Sequence, residues 1–67
     1  MLEEFIIDYG LGNKVIILSQ TIEKTIQYGM RVITPRTTTE LSVEPAEVIN
    51  MLHQAISSKV QVSASNN

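Results

Sequence analysis

The segment DYGLGNK, at residues 8–14, is the part of this chain whose residue types come nearest to a phosphate-binding loop. It lies between two apolar runs, and Gly10 and Gly12 precede Lys14. A dinucleotide fingerprint requires a third glycine, and a P-loop requires Ser or Thr directly after its lysine, because several backbone N–H groups must approach the phosphates together. Both features are missing here. The segment therefore predicts a sharp turn, with weak anion binding by free N–H groups as the alternative.

Side chains able to perform acid–base, nucleophilic or metal chemistry are few. His53 is the single histidine and cysteine is absent, so the usual members of a catalytic triad or a structural zinc site are not available. Glu44 and Glu47 are spaced to share a cation, but two carboxylates at the start of a helix usually interact with its dipole. The sequence therefore predicts a protein that is not an enzyme and that binds no metal and no cofactor.

Basic residues are concentrated in the middle third of the chain. The net charge is −2, which is unfavourable for a protein that depends on counterion release to bind nucleic acid. Residues 14–36 nevertheless carry four cations and one anion, and a dimer would double such a patch. The four cations are Lys14, Lys24, Arg31 and Arg36. A small dimeric regulator that binds nucleic acid is therefore an alternative hypothesis.

The size of the chain limits the core that it can build. A chain of 67 residues forms one domain and buries only roughly 60% of the surface that it exposes when unfolded. Domains this small commonly gain stability from disulfides, a metal or self-association, and the first two are not expected here. The composition is 43% hydrophobic and 18% charged, so apolar surface is in excess. We therefore expect a homodimer or a higher oligomer.

The first two predicted elements flank the glycine-containing turn. Residues 2–9 have apolar positions compatible with a helix, but Phe, Ile and Tyr favour a strand, which we predict. For 14–28 we predict a helix, because Asn13 is a suitable N-cap and Gly29 a suitable residue after the C-cap. Apolar residues recur within it at helical spacing: Val15, Leu18, Ile22 and Ile26. In the competing interpretation KVIIL is a strand and GLGN turns a hairpin, which gives a β-meander.

The second half of the chain contains clearer signals. Pro35 suits a turn between two short strands near 31–34 and 38–42, since proline cannot donate to a strand ladder. We predict a helix over 44–58, because Pro45 suits the first helical position and apolar residues form one stripe along it. The stripe consists of Val48, Ile49, Leu52, Ala55 and Ile56. Residues 59–67 are expected to form a flexible tail, with strand addition to a sheet edge as the alternative.

These elements predict a small α+β fold with the order strand, helix, β-hairpin, helix. The alternative is a β-meander followed by a C-terminal helix. Residues 1–58 would form the domain. The predicted function is that of a non-catalytic, oligomeric protein–protein interaction module, such as an adaptor, an inhibitor or a regulatory subunit. A structural component of a larger assembly is a further alternative. The expected contact residues are Val15, Ile16, Ile17, Leu18, Val48, Ile49, Leu52 and Ile56.

The expected location is the cytoplasm. The start of the chain, MLEEFIIDYG, is acidic where a secretory signal is basic, and no run of about 20 apolar residues is present. The expected partners are further copies of the chain and another protein, and not a membrane.

Overall fold

The computed structural model describes residues 2–66 and consists of five antiparallel strands and one helix. The elements are β1 (Leu2–Gly10), β2 (Asn13–Ile22), β3 (Thr25–Ile33), β4 (Thr38–Val43), α1 (Pro45–Ser57) and β5 (Gln61–Asn66). The strand order in the sheet is β4-β3-β2-β1-β5. The predicted α+β class is confirmed. Met1 and Asn67, at the ends of the predicted domain and tail, lie outside the described residues.

The first four strands form a meander whose register decides which residues share a face. Phe5 lies opposite Ile17, and Ile7 lies opposite Val15. Because successive side chains of a strand point to opposite faces, these four residues share one face of the sheet. The helix covers that face, since Val48 packs in the same core as Ile7 and Ile17.

The core is small. Among the described side chains, Ile7 and Ile17 are fully buried, and Val48 and Ala55 of α1 are nearly so. Partly buried side chains surround them: Phe5, Val15, Tyr28, Val43, Met51, Leu52, Val60 and Val62. The core therefore lies in a single layer between α1 and the central strands.

The helix connects the two edges of the sheet. β4 and β5 are the edge strands, and α1 joins them across the covered face. Its 13 residues extend about 20 Å, which matches the roughly 19 Å between the first and fifth strands of a sheet. Within residues 2–66, the helix α1 is not long and apolar enough to span a membrane.

The helix predicted over 14–28 is wrong. Asn13–Ile22 and Thr25–Ile33 are strands, joined by a two-residue turn at Glu23 and Lys24, and the meander given as the alternative is present. Five of the ten residues of β2 are β-branched, a composition that packs better on a pleated sheet than on a helix. Asn13 therefore caps no helix, and Gly29 lies in the middle of β3.

The remaining elements agree more closely with the sequence. The strand over 2–9, the hairpin around Pro35 and the helix over 44–58 are all present, but the first strand of the hairpin, predicted near 31–34, begins six residues earlier, at Thr25. Residues 61–66 form β5 and pair with β1, where the sequence predicted a flexible tail. The physical reason is Val62, which lies opposite Ile7 and packs against the core.

The molecule is a thin slab with one uncovered face. Its extents are 38 × 27 × 20 Å, and the shortest is about the thickness of one sheet plus one helix. Its radius of gyration is 11.9 Å, whereas a compact chain of this length has about 10.9 Å. Its accessible surface is 5016 Å², whereas a monomer of this mass exposes about 4,200 Å². No described element covers the sheet face opposite α1.

Candidate interaction surfaces

The glycine-containing segment forms the turn between β1 and β2. Gly10, Leu11 and Gly12 all have positive φ, at 84°, 58° and 83°. The N–H of Gly10 donates to Oδ1 of Asp8 at 2.8 Å, and Nδ2 of Asn13 donates to the carbonyl oxygen of Gly10 at 3.2 Å. The carboxylate of Asp8 thus occupies an N–H that an incoming phosphate would need, and its negative charge would repel the phosphate. This local geometry agrees with the predicted turn.

The residues singled out for acid–base chemistry lie along α1 without forming a cluster. Glu44 is the extended N-cap residue, Glu47 lies in the first turn, and His53 is exposed further along the helix. Residues 2–66 contain no group of three or more metal-ligating side chains. These three residues are therefore exposed residues of one helix, with Glu44 and Glu47 at its start and His53 further along.

One flank of the helix is apolar and exposed. We define the helix flank as Ile49, Leu52 and Ile56. Ile49 is 67% exposed and Ile56 64%, and they lie two helical turns apart, while Leu52 between them is half-buried against the core. An isolated exposed isoleucine is ordinary, but two on one flank of a short helix form a patch that a partner can cover.

The second apolar surface is the uncovered sheet face, which we call the open face. Its centre consists of Ile6, Ile16 and Leu18, all half-buried, and Ile33, also half-buried, lies opposite Lys14 at the end nearest the β1–β2 turn. Ile6 lies directly opposite Ile16 in the pairing of β1 with β2. Polar and charged residues surround this centre: Glu4, Asp8, Lys14, Gln20, Gln27, Arg31, Glu40, Ser42, Gln61 and Ser63.

The open face has a shallow depression beside its centre. Gly29 carries no side chain and lies between Leu18 of β2 and Ser42 of β4. The resulting depression has a volume of about 260 Å³, and Leu18, Gln20, Gln27, Gly29 and Ser42 contribute to its lining. It is therefore a recess in the open face, at the position where Gly29 lacks a side chain.

Charges of both signs occur on the open face. Asp8 lies opposite Lys14 at the end nearest the β1–β2 turn. Arg31 lies opposite Glu40, and the two form an ion pair in which Nη2 of Arg31 is 2.8 Å from Oε1 of Glu40. The face is therefore apolar at its centre and charged around it, which is the usual arrangement of a protein interface.

The predicted contact residues fall on several surfaces. Ile17 and Val48 are buried within a single chain. Val15 is half-buried on the face of the sheet that the helix covers. Ile16 and Leu18 lie on the open face, because they alternate with Val15 and Ile17 along β2. The others, Ile49, Leu52 and Ile56, form the helix flank. The interface prediction is thereby narrowed to the open face and the helix flank.

Sequence reasoning missed three apolar residues of the open face. Ile6, Ile22 and Ile33 were not among the expected contact residues, yet the strand register places each of them on this face. The period-two alternation along β1, β2 and β3 is the signal that could have identified them, once these segments were taken as strands.

The predicted basic patch is divided between the two ends of the sheet. Lys14 and Arg36 lie towards the end that contains the β1–β2 turn and the β3–β4 loop, and Lys24 lies in the β2–β3 turn. The distance from Lys14 to the end of β2 is about 26 Å for eight residues of strand. The charge of Arg31 is balanced by Glu40. The four cations therefore do not form one surface.

No family model, no curated protein and no solved structure matches this chain.

Proposed function

We propose that this protein is a non-catalytic interaction module that self-associates and binds another protein, in the manner of an adaptor, an inhibitor or a regulatory subunit. The observation that supports this proposal is the presence of apolar residues on both outer sides of a two-layer slab. One surface is the open face, and the other is the helix flank. Two separate apolar surfaces allow the module to contact two molecules at once.

The free energy available from covering the helix flank is substantial for so small a protein. Fully burying an isoleucine that was exposed contributes about 1.5–3 kcal/mol. Ile49 and Ile56 are each about two-thirds exposed, so a partner that covers both would gain roughly 2–4 kcal/mol. A few well-packed residues commonly carry most of the binding energy of an interface, while the surrounding contacts exclude water.

Mass measurements test the self-association. We expect multi-angle light scattering after size exclusion to give a discrete oligomer that dissociates on dilution, since mass action governs such assemblies. A mass that grows without limit as concentration rises would instead favour the alternative of a building block in a larger assembly. A single-chain mass at millimolar concentration would contradict self-association.

A capture experiment in the native host tests the second contact. The bait carries Ile49→Glu and Ile56→Glu, and its matched control carries Asn50→Glu, which adds a carboxylate to an exposed position of α1 outside the helix flank. We expect a captured protein that is retained by the control and lost with the double variant. Equal recovery with both baits would show that the helix flank is not the binding surface.

A further inference from the structure

We infer that a second copy of this chain packs on the open face, so that the two sheets lie face to face. The two copies are related by a two-fold axis that lies between the sheets, runs parallel to the strands and follows the midline between β1 and β2. This inference rests on the proposed self-association. It adds which surface forms the dimer, the register of the two sheets and the charge pairs between them. The helix flank then stays free for the other protein.

The area of the open face fits a stable dimer. Because the strand order is β4-β3-β2-β1-β5, an axis between β1 and β2 leaves β4 without a facing strand, and four strands of each copy meet. Four strands and about eight residues of strand length give a flat footprint of roughly 19 × 26 Å, and side-chain relief increases its accessible area. The chain exposes 5016 Å², an excess of about 800 Å² over a monomer of its mass. A standard interface covers about 800 Å² on each partner. The four facing strands thus give an area of the same order as a standard interface and as the excess surface of the slab.

The apolar centre is self-complementary about the proposed axis. A two-fold axis midway between β1 and β2 places each residue of β1 opposite the residue of β2 with which it is paired in its own chain. Ile6 then faces Ile16 of the second copy, and the same contact occurs twice, as an isologous interface requires. Aligned sheets pack with their inner side chains interdigitated at about 10 Å, which dehydrates all four isoleucines.

The charges follow the same symmetry. Asp8 and Lys14 are paired across β1 and β2, so Asp8 of each copy faces Lys14 of the other. Glu4 lies opposite Leu18 in its own chain and so faces Leu18 of the second copy, next to the depression at Gly29. Opposite charges therefore meet at two symmetric positions and set the register of the dimer.

The helix flank is a weaker candidate for self-association. It consists of one row of side chains on a convex helix, and α1 carries Glu47 but no Lys or Arg to form a reciprocal charge pair. The open face spans several strands, is wider, and carries both signs of charge. A second copy on the open face is therefore favoured over a second copy on the helix flank.

Two lysine substitutions test the surface. Ile16→Lys places a charge in the centre of the open face, and Ile49→Lys is the matched control on the helix flank. We expect Ile16→Lys to raise the dimer dissociation constant at least tenfold by analytical ultracentrifugation, and Ile49→Lys to change it less than twofold. Because Ile16 lies outside the buried core, far-UV circular dichroism should show a folded chain. Ile6→Lys gives an independent measurement if Ile16→Lys unfolds.

The outcomes separate this inference from the proposed function. Self-association that survives Ile16→Lys and Ile6→Lys but is lost with Ile49→Lys would overturn the open-face dimer and leave the proposed self-association intact. A native chain that stays monomeric at millimolar concentration would overturn both. Loss of the dimer with both open-face variants, and not with the helix-flank control, supports the inference.

A mixing experiment tests the register. Asp8→Lys places two lysines at each charge pair of a homodimer, and Lys14→Glu places two carboxylates there, so each variant alone should dimerise at least tenfold more weakly. An equimolar mixture should form a heterodimer with affinity close to that of the native chain, because each lysine then meets a carboxylate of the other copy. The pairing within each chain stays disrupted on mixing, so only contacts between chains can restore affinity. A mixture as weak as its components would refute this register.

Discussion

Gly12 and Pro35 bring two turns of the sheet into contact. A methyl group added to Gly12 would lie 3.1 Å from Cγ of Pro35, and Gly12 has a φ of +83° that L side chains rarely adopt. The β1–β2 turn therefore packs on the β3–β4 loop at a position where only glycine fits without strain. This contact joins the two halves of the meander at one end of the sheet.

Substitution of Gly12 should destabilise the fold through both conformation and contact. Gly10 is the matched control, because its φ is +84° and a Cβ there would meet nothing within 4 Å. We expect Gly10→Ala to lower the free energy of unfolding by about 1–2 kcal/mol from the positive φ alone. Gly12→Ala should lower it further, since the Pro35 ring must move. Urea denaturation measures the difference, and equal losses would show that the contact with Pro35 is not significant.

Truncation of the core should be far more costly than truncation of the helix flank. Ile17 is fully buried, and Ile17→Ala is expected to lower the free energy of unfolding by about 2–5 kcal/mol, because a cavity remains. Ile49→Ala removes the same atoms from an exposed position, so we expect a loss below about 1 kcal/mol. Chemical denaturation at a concentration where the chain is monomeric gives both values. Similar losses would contradict the arrangement of the core.

The sequence predicted the second half of the fold better than the first. Pro45 at the start of α1 and Pro35 in a turn are local signals with one physical meaning, and both elements are present. The segment over 14–28 carries two compatible patterns, since Val15, Leu18, Ile22 and Ile26 match a helix while the β-branched run matches a strand. Tertiary pairing with β1 and β3 decides between them, and spacing along the chain does not contain that information.

The surfaces were harder to predict than the elements. The composition showed an excess of apolar residues, and the helix flank could be predicted once α1 was located. The open face required knowing that Ile16 and Ile17 point in opposite directions, which holds in a strand and not in one turn of a helix. Strand β5 was predicted only as the alternative to a flexible tail, because the pairing of Val62 with Ile7 joins residues 55 positions apart.

The end of α1 offers a stabilising substitution. The N–H of Val60 donates to the carbonyl of Ala55 at 2.9 Å, and the N–H of Lys59 donates to that of Ile56 at 3.1 Å. These are the bonds of a Schellman motif, in which the residue with positive φ is usually glycine. Lys59 has a φ of 60°. Lys59→Gly should therefore raise the free energy of unfolding by about 1 kcal/mol.

The control for this substitution is Gln61→Gly, two residues later in extended β5. There glycine increases the flexibility of the unfolded chain without relieving any strain, so we expect a loss of about 0.5–1 kcal/mol. Thermal or urea unfolding of the two variants should thus give changes of opposite sign. A loss of stability with Lys59→Gly would contradict the positive φ at this position.

The ion pair between Arg31 and Glu40 provides a test of the nucleic-acid alternative. Glu40→Gln removes the carboxylate that balances Arg31 and leaves Arg31 with Lys14 on the open face. As an interaction module, the native chain and the variant should both fail to shift a labelled oligonucleotide at low salt. If the alternative holds, the native chain binds, and the variant binds more tightly with a steeper dependence on salt, because it releases about one more counterion. Lys24→Ala removes another of the four cations of this alternative, at the opposite end of the sheet, so it should weaken the shift if the alternative holds.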